Sequence, residues 1–281
     1  MRPKLTFMLA LATIAVAKPV ESQNVPPTAP PQLGYADLAD LALGAPVAAH
    51  LRIRGAHLLD PRDAPNTAPG FRRFLVEAEV VALIRGEGGL APEVSYLVDL
   101  ASDSRGHPAR LRRRDEVLVL ARRVPDHPGE LRLAAPDAQL PYSPATADRL
   151  RAILRDAAAA GAPPRIVGIG RAFHVPGSLP GESETQIFLQ TADSRPISLS
   201  ILRRPGERPR WSVALSEIVD EAAAPPAPDT LLWYRLACTL PPRLPAQALS
   251  EASAEEAQAI QADYRLVIEG LGPCLRTRVR R

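Results

Sequence analysis

The sequence predicts an α+β protein: an N-terminal small β-barrel or OB-like sheet, then a β-meander with a C-terminal disulfide-tied helical hairpin. Three observations predict it. Five strand-like runs succeed one another before Ala134 with no helical pattern between them, which suits a small barrel better than a doubly wound sheet. Three further runs between Glu184 and Leu215 are separated by short turn signals, as in a meander. Beyond Leu215 the strand-like alternation gives way to two stretches of helical pattern, and the only two cysteines, Cys238 and Cys274, lie beside them.

The elements take their order from local patterns. Tyr35 to Leu43 can form a short helix. Val47 to Arg54 alternates Val47, Ala49, Leu51 and Ile53 with Ala48, His50, Arg52 and Arg54, the mark of a half-buried strand. Phe74 to Ile84 alternates likewise, with Glu77 and Glu79 on its polar side, so Arg52 and Arg54 can face these acids across a strand pair. Val94 to Leu100, Glu116 to Val124 and Glu130 to Leu133 complete the five, with His127-Pro128-Gly129 read as the turn before the last. Ser143 followed by Pro144 marks a helix start; Leu150, Ile153, Leu154 and Ala157 form its apolar face, and Gly161 lies near its end. The meander runs through Glu184 to Thr191, Pro196 to Arg203 and Arg210 to Leu215. A short helix from Leu231 to Cys238 places Trp233 in the core. Ser253 and Glu256 have the spacing of a capping box ahead of Ile260, Tyr264, Val267 and Leu271.

The N-terminus reads as an export signal. Arg2 and Lys4 precede the apolar run Leu5 to Ala17, too short to span a bilayer, and cleavage is expected after Ala17 or Ser22. The expected organisation is thus a signal peptide over 1–22, a proline-rich tether over 23–34, a β-rich lobe ending in a helix over 35–162, and the meander with its helices over 163–281. The mature chain is expected in the periplasm or secreted, without a transmembrane span. Cys238 and Cys274 then lie in an oxidising compartment and are expected to pair, since no C-x-x-C spacing or neighbouring histidine suggests redox or metal chemistry.

The chain has 34 basic and 31 acidic residues; losing Arg2, Lys4 and Lys18 with the leader brings the mature chain near neutral. The basic clusters Arg110, Arg112, Arg113, Arg114 and Arg276, Arg278, Arg280, Arg281 contain no stacking aromatics, so nucleic acid is not an expected partner. The segment from Phe173 to Thr185 is read as a glycine- and proline-rich loop. It alone places a histidine, a serine and two acids together: His174, Glu182, Ser183 and Glu184. Gly181-Glu182-Ser183-Glu184-Thr185 lacks the second glycine of a nucleophile elbow, and one histidine with two acids lacks the paired spacing of a metal-binding helix. No catalytic set, metal site or cofactor is expected, and Gly168-Ile169-Gly170 is an incomplete dinucleotide fingerprint.

Gly181-Glu-Ser-Glu-Thr-Gln-Ile-Phe-Leu189, Arg210-Trp-Ser-Val213, Trp233-Tyr-Arg-Leu-Ala-Cys238 and Leu271-Gly-Pro-Cys274 resemble segments of uncharacterised exported proteins of alphaproteobacteria. The resemblance implies a bacterial envelope setting and carries no activity or site residues. The expectation is an exported, non-enzymatic binding or interaction protein of the cell envelope, with an envelope protein or a cell-wall component as partner. The alternative is a periplasmic hydrolase using the loop from His174 to Glu184.

Overall fold

The computed structural model describes residues 33–108, 110–215 and 224–278. The expected leader and nearly all of the tether lie outside the described residues, as do Arg280 and Arg281. In chain order the elements are α1 (Tyr35–Gly44), β1 (Val47–Leu58), β2 (Phe71–Arg85), β3 (Glu93–Ala101), β4 (Glu116–Val124), β5 (His127–Leu133), β6 (Gln139–Pro141) and α2 (Pro144–Ala158). They continue with β7 (Ile166–Pro176), β8 (Ser183–Thr191), β9 (Ile197–Arg203), β10 (Arg210–Ala214), α3 (Leu231–Ala237), a 3-10 turn (Ala246–Leu249) and α4 (Ala254–Leu271). The described residues from Leu33 onward form one compact unit.

The first five strands close into a barrel in the order β1-β2-β3-β5-β4, with β4 returning to β1 and β6 added beside β4. All pairs are antiparallel except β3 with β5. Closure demands strong coiling of β1 and β2, which the register shifts at Ala48/Ala49, His50/Leu51 and Ile53/Gly55 supply. Alternation then sends Val47, Ala49, Leu51 and Ile53 inward to meet Val76, Tyr96, Val117 and Val119. Each such side chain, once buried, contributes about 1.5–3 kcal/mol relative to exposure. Arg52 and Arg54 do face Glu79, at 4.0 and 3.3 Å, and Arg52 also bonds Glu116 at 3.0 Å.

The Val117 to Ala121 run of β4 is buried on both sides, because the barrel's outer wall is itself covered. Leu118 and Leu120 join a second core with α1, α2 and the inner face of the antiparallel sheet β10-β9-β8-β7. Ser143 caps α2, accepting from the Thr146 N–H, and Pro144 opens it; Ala147, Leu150 and Ile153 form its buried stripe. In α4 both halves of the capping box form, and Ile260, Tyr264, Val267 and Leu271 face inward. Gly270 is required there: a Cβ would sit 2.6 Å from Trp211 Nε1. Trp233 is buried in the core and donates its indole N–H to the Leu271 carbonyl at 2.8 Å.

Cys238, the residue after α3, is disulfide-bonded to Cys274 beyond α4. The tail past Cys274 straps α1. Buried Asp37 accepts from the Thr277 N–H (2.8 Å), the Thr277 hydroxyl (2.6 Å) and the Arg278 N–H (3.3 Å), while Arg276 forks onto Asp40 (2.7 and 3.1 Å).

The structure differs from the sequence-based expectation in three places. His127-Pro128-Gly129 is not a turn but the start of β5; the reversal lies at Val124 to His127, where Asp126 adopts φ 62°. The short strand β6 is an addition with too few residues to show a period. The supposed loop from Phe173 to Thr185 is the hairpin β7–β8, so the sheet has four strands, not three. Among the described residues no helix is long and apolar enough to cross a membrane.

Candidate functional site

The hairpin β7–β8 separates the side chains that the sequence places together. His174 and Thr185 are cross-strand partners on the core face of the sheet, His174 Nδ1 lying 2.8 Å from Thr185 Oγ1. Thr185 donates its one hydroxyl proton to Asp263 Oδ2 at 2.5 Å, so it accepts from the imidazole. Arg203 closes the array by donating Nε to Asp263 Oδ1 at 2.6 Å. Thr185 and Asp263 are 0% exposed, and the His174 side chain is 14% exposed. A nucleophile must reach substrate, and Thr185 is sealed; the array joins β7, β8 and β9 to α4.

The remaining candidates have other duties. Glu182 turns back to accept from the backbone N–H of Ser178 (3.1 Å) and Leu179 (3.3 Å), holding the hairpin tip. Glu184 faces away from His174 and bonds Gln186 and Ser200 on the opposite side of the sheet. Ser183 stands opposite Pro176 and Arg203. Among the described residues no hydrogen bond joins it to His174, and no three His, Cys, Asp or Glu side chains form a group able to hold a metal. Asp263 is not among the residues that the sequence singles out. Its one signal there is a charged residue inside the apolar stripe Ile260, Tyr264, Val267 of α4.

A more open arrangement lies at one end of the barrel, around the β1–β2 connection of residues 59–70. Two hollows flank this connection. One, of about 690 Å³, lies between it and the residues after β3, with Pro61, Asn66, Arg72 and Asp103 among its walls. The other, of about 460 Å³, has an apolar floor including Phe71, Leu100 and Pro136 and polar walls of Asn66, Asp99 and Gln139. Both fall in the size range of ligand sites, where an apolar surface with a few fixed polar groups is the usual composition.

The polar groups are held in place from behind. Arg73 reaches from β2 to β3 as a fork, Nε to Asp99 Oδ1 at 2.7 Å and Nη2 to Asp99 Oδ2 at 2.8 Å. Its third nitrogen donates to the Pro65 carbonyl at 3.1 Å and so pins the connection. The hydrogen bond to Asp99 holds the guanidinium above its ordinary pKa range, so the fork stays charged. Asn66 takes a left-handed conformation, φ 63°, and Thr67 Oγ1 donates to the Ala64 carbonyl at 2.9 Å, shaping the turn locally. Tyr96 donates to the Gln139 side-chain oxygen at 2.7 Å, which leaves the Gln139 N–H donors for solvent or a ligand. In the sequence, the turn-rich run Asp60 to Gly70 is visible, but nothing local pairs Arg73 with Asp99.

In comparison with known proteins, no protein-family model matches the chain and no curated protein is significantly similar to it.

Proposed function

We propose that this chain is an exported, non-enzymatic binding protein of the bacterial cell envelope that takes a cell-wall component in the hollows beside the β1–β2 connection. One observation carries the reading: a preformed hollow whose apolar floor and polar walls are fixed by the Arg73–Asp99 fork and the Tyr96–Gln139 bond. Preorganisation of this kind lowers the ordering cost of binding. Small OB-like barrels bind oligosaccharides and oligonucleotides on the face of their second and third strands and on the first connection; this support is fold-level analogy. Export rests on the leader over 1–22, and periplasmic or extracellular residence accords with a disulfide in a chain of this kind. In this reading α3 and α4, drawn together as a disulfide-tied hairpin, support the second sheet and α1 and take no part in binding.

Thermal unfolding of the oxidised mature protein with soluble peptidoglycan fragments tests the proposal. A ligand at about 100 times its dissociation constant stabilises by about 2.7 kcal/mol, or about 5–10 °C for a chain of this size. The expected shift disappears in Leu100→Arg, which fills the hollow with charge. Absence of any shift, or a shift that Leu100→Arg leaves intact, overturns the assignment.

A further inference from the structure

Apart from the barrel hollows, a pocket of about 720 Å³ opens where α1, α2 and α3 meet the end of β2. Five arginines line it, Arg85, Arg151, Arg155, Arg165 and Arg235, and its one acidic lining residue is Asp40. Asp40 is already engaged, accepting from the Tyr234 hydroxyl at 2.6 Å and from the Arg276 fork. Arg85 donates to the Ala42 carbonyl at 3.2 Å, and Arg151 pairs with Asp148 at 2.9 Å. The side chains of Arg155 and Arg165 make no hydrogen bond or ion pair among the described residues. Arg235 is half-buried, and its Nε is shut off from solvent with no acceptor. Burial pushes its guanidinium below the ordinary range, and neighbouring Arg165 pushes in the same direction. Arg155 stands in the last turn of α2, where a cation suits the negative end of a helix. That accounts for one arginine of the five and not for the convergence of the others.

We propose that this pocket is an anion site for a phosphate-bearing ligand, with Arg155, Arg165 and Arg235 as its binding residues. Guanidinium forks match phosphate oxygens in pairs, and an apolar wall of Leu43, Ile84 and Leu154 leaves room for the group carrying the phosphate. The site is separate from the barrel hollows and stands whether or not they bind.

The test uses the full mature protein, oxidised, with pyrophosphate as probe in isothermal titration calorimetry. One pyrophosphate is expected per chain. Arg155→Glu combined with Arg165→Glu is expected to weaken binding at least tenfold, since both side chains are exposed and their loss leaves the fold intact. Arg243→Glu, an exposed change elsewhere, is expected to change nothing. Co-sedimentation with phosphatidylglycerol vesicles distinguishes the source of the phosphate. Sedimentation that the double variant loses and pyrophosphate competes away assigns a lipid headgroup; pyrophosphate binding without vesicle binding assigns a soluble phosphate compound. Pyrophosphate binding undiminished in the double variant overturns the site. So does failure of the wild type to bind pyrophosphate, whether or not it sediments with vesicles.

Discussion

Removal of the disulfide by Cys238→Ser with Cys274→Ser tests how the C-terminal tail is held. The bridge spans a sequence separation of 36 residues. In the chain-entropy account, closing a loop of that length removes about 13 cal/mol/K from the unfolded ensemble, or about 4 kcal/mol at 25 °C. The native geometry of the tail has a second support that cysteine removal leaves in place: Asp37 holds the Thr277 and Arg278 N–H groups, and Asp40 holds Arg276. The cost therefore falls on the unfolded state. In a chain of this length it lowers the melting temperature by about 8–16 °C while the native circular dichroism spectrum stays unchanged. Denaturant unfolding adds an independent readout, since a freed chain exposes more surface and the m value rises. Melting within about 2 °C of the parent refutes the entropic magnitude for this protein. A changed native spectrum refutes the claim that the Asp37 and Asp40 contacts suffice to seat the tail.

Two further outcomes are expected from buried polar groups. Thr185→Val keeps the shape of the side chain but leaves the sealed Asp263 without one of its donors and His174 Nδ1 without its acceptor; urea unfolding is expected to show a loss of about 2–3 kcal/mol, and a neutral result removes Thr185 as the latch between β7, β8 and α4. Burial raises the phenols of Tyr35 and Tyr234 from 10.0 to about 12, with Asp156 adding to the first and the hydrogen bond to Asp40 to the second. Their folded pKa exceeds the unfolded one, so the stability they contribute is complete below pH 10.0 and lost as pH rises through about 12. Tyrosinate absorbance is expected to appear together with loss of helical circular dichroism in that window; ionisation of these phenols near pH 10 with the fold intact contradicts the burial argument.

Signals that act within a few residues are legible in the sequence. The alternation in Val47 to Arg54 names the inward residues of β1, the Ser143-Pro144 pair marks the start of α2, and Ser253 with Glu256 forms the capping box of α4. By contrast, β7 is hidden because register shifts at Ile166/Gly168 and Ile169/Ala172 break the strict period of two, and its glycines and terminal proline imitate a loop. His174, Glu182, Ser183 and Glu184 are close in sequence, yet a strand sends neighbours to opposite faces, so His174 and Glu184 end on different sides of one sheet.

The sequence by itself determined the class of the protein, most of its strands and helices, and its one pair of cysteines, because side-chain period, capping and cysteine number act over short distances along the chain. Only the tertiary structure decided that the first five strands close, that β3 lies parallel to β5, and that Asp263 receives Arg203 and Thr185. It also decided that Arg85, Arg155, Arg165 and Arg235 share one pocket. Those pairings join residues far apart along the chain, and long-range contacts are selected by the burial of two shared cores, a property no local pattern encodes.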